Sequence, residues 1–110
     1  MSHETMTGDQ LLRILSALAN PHRLRIVGAL AGGRNYVSQL ARDMDMSRTL
    51  LHMHLQRLEA AGLIIGVMEV SDSGKAMKYF EVTPFGFELG PATIAATVPT
   101  LTQDNAKAGK

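Results

Sequence analysis

The chain has 110 residues, 45% of them hydrophobic and 19% charged, with a formal net charge of +1 and a mean hydropathy near zero. That length suits one domain with a core that holds without covalent staples. Cysteine is absent and aromatic residues make up 5%. Disulfide frameworks, thiolate zinc sites, iron–sulfur clusters and thiol redox switches are therefore excluded, and the core must be aliphatic.

The first helix follows Thr7-Gly8-Asp9-Gln10, which has the form of a capping box. It runs from Gly8 to Ala19 with Leu11, Leu12, Leu15 and Leu18 at helical spacing. Asn20-Pro21 restarts the chain, since asparagine caps and proline suits the first helical position. The second helix carries Leu24, Val27 and Leu30 on one face and stops at Gly32-Gly33. A short third helix, Ser38 to Met44, turns Leu40, Ala41 and Met44 inward. After a tight turn over residues 43–46, Ser47 caps a fourth helix, Arg48 to Ala61, which Gly62 ends.

The hydrophobic period then changes. Leu63 to Val70 and Lys78 to Thr83 flank the turn-forming Ser71-Asp72-Ser73-Gly74 and read as a β-hairpin. Phe85 to Leu89 is open between an extended segment and a short turn. Pro91 opens a last helix in which Ile94, Val98 and Leu101 form an i, i+4, i+7 stripe, with Pro99 kinking or ending it.

This order is mainly α with a small β-hairpin, the arrangement of a winged helix-turn-helix. The expected boundaries are a disordered start over residues 1–6, one domain over 7–102 and a flexible tail over 103–110. Met1-Ser2-His3-Glu4 lacks the basic start and apolar stretch of a secretory signal. The longest uncharged run, residues 89–103, contains Pro91 and Pro99 and falls short of the roughly 20 apolar residues that span a bilayer. The expected location is cytoplasmic, with no membrane partner.

Charge is unevenly spread. Residues 21–60 carry Arg23, Arg25, Arg34, Arg42, Arg48 and Arg57 against Asp43, Asp45 and Glu59, all their basic residues being the type suited to bidentate contact with phosphate and guanine. On a helical wheel of the fourth helix, Leu51, Leu55, Leu58 and Gly62 fall together toward the core. Thr49, His52, Met53, Gln56 and Ala60 lie opposite, with Arg48 and Arg57 on the flanks. Short and long hydrogen-bonding groups mixed in this way suit base edges in a major groove, whereas a merely solvated helix would carry more Glu and Lys.

Three segments carry a family resemblance. Ala19-Asn20-Pro21-His22-Arg23-Leu24-Arg25-Ile26-Val27 is similar to the "L-x-x-P-x-R-L-x-I-L" segment of ArsR-type repressors, and Val37-Ser38-Gln39-Leu40-Ala41 to their "v-s-E-L-A". The run from Ser47 through Thr49, His52, His54 and Leu58 to Ala61-Gly62-Leu63-Ile64 resembles their recognition helix. The resemblance covers roughly residues 10 to 83 and implies a dimeric, sequence-specific DNA-binding regulator, a repressor acting on double-stranded DNA. Ser38 and Gln39 would contact phosphates. Ser47 would cap the reading helix at the DNA, whose Arg48, Thr49, His52, Met53 and Gln56 would meet bases or nearby phosphates. Lys75 and Lys78 would hold the flanking backbone. The homodimer would be built from Leu11, Leu12 and Leu15 with Ile94, Val98 and Leu101.

The departures count equally. His52 stands where the family usually has serine, Met53 replaces a polar residue, and the wing carries Glu69, Asp72 and Glu81 beside its two lysines. The family's metal sites lack their ligands: residues 34–39 hold no cysteine, and residues 91–101 hold no Asp, His or Glu. His52 and His54 lie about 200° apart around a helix and cannot share an ion, which would need i, i+4 spacing; His54 reads instead as a packing histidine beside Leu51 and Leu58. The expectation is a regulator that needs no cofactor and does not sense metal, its effector an unknown small molecule or protein. Phosphate-binding loops, dinucleotide fingerprints and nucleophile elbows are missing, so no enzyme is expected. The competing reading is a winged helix that binds protein through the same face.

Overall fold

The computed structural model describes residues 6–102. The expected disordered start and flexible tail fall outside that range, except Met6, which is half-buried. Helix α1 (Gly8–Leu18) opens on the expected capping box: the Thr7 hydroxyl accepts from the Gln10 amide, and the Gln10 side chain accepts from the Thr7 amide at 2.9 Å. Helix α2 (Pro21–Ala31) is capped by Asn20, whose side-chain oxygen accepts from the amides of His22 and Arg23. Strand β1 (Asn35–Tyr36) leads directly into α3 (Val37–Met44), followed by α4 (Arg48–Ala60), β2 (Ile64–Val70), β3 (Ala76–Val82) and α5 (Pro91–Thr97). Residues 84–89 form neither helix nor strand.

The helix-turn-helix is set by two left-handed residues. Asp45 has φ 55°, and the amides of Met46 and Asp45 donate back to the carbonyls of Ala41 and Arg42. Gly62 has φ 79°, and the amides of Leu63 and Gly62 donate to the carbonyls of Leu58 and Glu59. Each pair of bonds closes its helix in a Schellman motif and satisfies the last carbonyls. Gly62 is therefore exposed, not turned to the core as the wheel suggested.

The core is shared by every layer: Ile26 and Leu30 of α2, Leu40 of α3, Leu51, Leu55 and Leu58 of α4, and Leu63, Ile64 and Phe80 at the base of the sheet. Two inward faces differ from the sequence expectation. In α2, Leu24 is 56% exposed; the inward stripe is Arg23, Ile26, Val27 and Leu30, an i, i+3, i+4, i+7 set in which an arginine takes one place. In α1, Leu11, expected at a dimer face, is buried within its own chain, with Ile14 and Leu18 packed on the core.

The sheet has three antiparallel strands in the order β1-β3-β2, one more than the expected hairpin. Ile64 pairs with Val82 at the base and Val70 with Ala76 at the tip, while Tyr36 of β1 pairs with Tyr79. At the tip, the Gly74 amide donates to the Ser71 carbonyl and the Ser71 amide to the Lys75 carbonyl, with Gly74 at φ 85°.

The last helix is shorter than its stripe implied. It ends at Thr97, and Val98–Thr100 is a single 3₁₀ turn, because Pro99 has no N–H to continue the α-helical ladder. Thr97 is the residue of α5 buried in the chain, while Ile94 and Val98 are exposed. The segment after α5 is tied to the start of α1: the Gly8 amide donates to Thr100 Oγ1 at 2.7 Å, and the Thr102 amide and hydroxyl both donate to the Asp9 carboxylate. Those two bonds hold the Asp9 carboxyl below the usual carboxylate range.

Candidate nucleic-acid interface

Residues from three elements meet at one face. Ser38 at the start of α3, Arg48 and His52 on one flank of α4, and Lys75 and Lys78 of the wing line a single groove of about 380 Å³, closed by Tyr36, Val37, Ala76 and Met77. No acidic side chain lines it. The hydroxyl of Ser47 accepts from the Leu50 amide at 3.1 Å, which starts α4 at Arg48 and projects Arg48 and His52, one turn apart, to the same side.

The wing reaches this position because it is braced from below. Tyr36 Oη donates to Glu69 Oε1 at 2.7 Å, and the Arg34 guanidinium lies 3.7 Å from Glu69 Oε2 and 4.1 Å from the centre of the Tyr79 ring. The bond to Glu69 keeps the Tyr36 phenol protonated to higher pH than usual. Arg34 therefore serves the wing, and Glu69, noted from sequence as one of the wing's acids, is a brace. Lys78 crosses Gly66 toward Phe80, its ammonium 5.2 Å from the ring centre. A Cβ on Gly66 would come within 2.7 Å of the lysine's Cε, so the glycine makes room for that path.

The outer surface of α4 is divided. Thr49, His52, Met53 and Gln56 are all exposed, but Met53, Gln56, Arg57 and Ala60 line a second hollow, with Arg23 and His54, on the flank away from the wing. Gln39 is less free than its exposure suggests: its amide donates to Asp43 Oδ1 at 2.8 Å and accepts from Arg42 at 2.7 Å. Its amide group is engaged at both ends.

His54, expected to pack half-buried between leucines, is 8% exposed. Its Nδ1 accepts from Arg23 Nη1 at 3.0 Å, and burial, then the Arg23 charge, lowers its pKa from the ordinary imidazole value. The sequence reading passed over this pair, although Arg23 spaced i, i+3 and i+7 from Ile26 and Leu30 signals an inward arginine. Among the described residues no group of three or more His, Cys, Asp or Glu could hold a metal ion. No helix among them is long and apolar enough to cross a membrane.

Three helices, a β-wing and an exposed helix flanked by cations define a winged helix-turn-helix protein. Residues 18–67 match the family model described as a helix-turn-helix domain. The chain is 35% identical over 74 residues to the HTH-type transcriptional regulator CmtR of Mycobacterium tuberculosis, an alignment covering 67% of this chain and 59% of CmtR; it thus spans less than two thirds of that relative's length. It superimposes with a TM-score of 0.58 and 26% identity on the homodimeric winged helix-turn-helix DNA-binding domain of a Mycobacterium bovis protein described as "a possible ArsR-family transcriptional regulator", covering 92% of this chain and 82% of that one. The reduced form of HlyU from Vibrio cholerae shares the fold at a TM-score of 0.59 and 21% identity, over 81% of this chain and 82% of its own. The chain is thus similar to the ArsR-type winged helix-turn-helix regulators.

Proposed function

We propose that this protein is a homodimeric, sequence-specific repressor that binds double-stranded DNA through α4 and the wing, without a metal effector. The observation that carries the reading is the convergence of Ser38, Arg48, His52, Lys75 and Lys78 on one groove free of acids. A major groove about 12 Å wide accepts one helix. Thr49, Met53 and Gln56 then face the base edges, while Arg48 and His52 on the wing-side flank and the wing itself meet phosphates.

Dimerisation is supported by apolar side chains left exposed on two elements that pack together. Leu12 of α1 is 51% exposed and Val98 after α5 is 52% exposed, with α1 and the C-terminal segment joined through Gly8, Asp9, Thr100 and Thr102. The Mycobacterium bovis neighbour is described as homodimeric, and two readers on a two-fold axis match half-sites about one helical turn apart. Repression follows by occupation of the site. A cytoplasmic location belongs to the same proposal.

The deciding experiment selects bound fragments from random duplex DNA and measures affinity for the selected sequence as salt is raised. Counterion release predicts a steep linear fall of log affinity with log salt. A flat response would place the function in protein–protein contact instead.

A further inference from the structure

His52 sits among cations. Arg48 from its own helix and Lys75 and Lys78 from the wing line the same groove, joined by Tyr36 of β1 and the hydroxyl of Ser38 of α3. Among the described residues, the side chains of Arg48, His52 and Lys75 make no hydrogen bond or ion pair. The groove lies on the wing side of α4, away from the hollow lined by Met53 and Gln56.

We propose that this groove seats one phosphate diester of the DNA backbone with His52 as an imidazolium ligand, so that DNA binding takes up a proton at His52. The inference rests on the DNA-binding reading above. A helix of about 10–12 Å diameter fills a major groove about 12 Å wide, so the flank that carries cations faces the backbone. A neutral imidazole offers an anion one N–H donor and one repelling lone pair, whereas the imidazolium offers two donors and a charge. Arg48, His52, Lys75 and Lys78 line one groove, and a phosphate seated among them would favour the protonated imidazole by its negative charge. Histidine is the side chain whose ordinary titration falls between pH 5 and 8, so the coupling acts near neutrality.

The test is equilibrium binding of the full chain to duplex DNA of random sequence, at constant ionic strength, from about pH 8 to about pH 6. Expected is a rise in affinity of roughly tenfold across the range, within the ceiling of about a hundredfold that one linked proton sets over about two pH units. The salt slope should steepen by about 0.9 at the lower pH, as for one added phosphate contact. His52→Gln, at an exposed position, removes both changes; His22→Gln and His54→Gln leave the rise in place. Calorimetry in buffers of different ionisation enthalpy should register close to one proton taken up by the parent and none by His52→Gln. Binding that is steep in salt but flat in pH, or a rise that survives His52→Gln, overturns this inference and leaves the DNA reading standing. Absence of salt-sensitive binding at every pH overturns both.

Discussion

Arg23 and His54 face each other across α2 and α4 from equivalent places: each is the polar member of an otherwise aliphatic inward stripe, and Arg23 Nη1 lies 3.0 Å from His54 Nδ1. Arginine can only donate, so Nδ1 must carry the lone pair and the proton must sit on Nε2. That Nε2–H is buried without a partner among the described residues. The same guanidinium donates through Nε to the Ala17 carbonyl at 2.6 Å, so one side chain closes the end of α1 and holds the middle of α4.

Stability should therefore depend on acid in a defined direction. The His54 pKa lies below its ordinary value in the folded protein, so the unfolded chain binds more protons below about pH 6.5. The contribution of neutral His54 is complete above that pH and is lost as pH falls toward the depressed folded value. Thermal melts between about pH 7 and pH 5 should show a declining midpoint, and His54→Gln, whose carbonyl still accepts from Arg23, should remove part of the decline. An unchanged slope in that variant would remove His54 as the titrating group.

Arg23→Ala leaves the α1 carbonyl and His54 Nδ1 without a donor. A loss of about 2–4 kcal/mol is expected in urea unfolding, because hydrogen bonds to charged groups contribute about 1.5–3 kcal/mol each and do not add fully. Arg23→Lys should recover less than half, since an ammonium cannot reproduce the planar fork. Full recovery by lysine would mean that charge alone suffices.

The C-terminal segment packs tightly against Gly8. A Cβ there would stand 2.5 Å from Leu101 Cδ2 and 2.8 Å from the Thr97 carbonyl oxygen. The backbone contact cannot yield as a side chain can, so Gly8→Ala should destabilise by about 1–3 kcal/mol and displace the segment bearing Val98. Sedimentation should show a weaker dimer for this variant, and a monomer for a chain ending at Gly90. A truncated chain that stays dimeric would confine the interface to α1.

For DNA, Gln56→Ala should lower affinity for a selected operator by about 1–3 kcal/mol, whereas Arg48→Ala and Lys75→Ala should weaken all sequences alike and each reduce the salt slope by about 1. Gln39→Ala should matter less than either, because its amide group is already engaged by Arg42 and Asp43. Equal losses on random and selected DNA for Gln56→Ala would remove that residue from base reading.

What the sequence determined by itself is what neighbouring residues decide. The Thr7–Gln10 box, the Asn20-Pro21 restart, the Ser47 cap, the Gly62 stop and the Ser71–Gly74 turn each depend on backbone groups a few positions away, and all are present. The aliphatic period of α4 likewise marks Leu51, Leu55 and Leu58 as core. Tertiary structure decided whatever needed a distant partner. The two residues of β1 are too few to show a period and become a strand only by pairing with β3. His54 reads from sequence as a packing residue, but its pairing with Arg23 appears only in the fold, where each supplies the other's hydrogen bond, since a polar group is buried only where a partner meets it. The outer face of α4 is one surface on a wheel and two flanks in space, because the wing on one side and α2 on the other come from segments that no local pattern brings together.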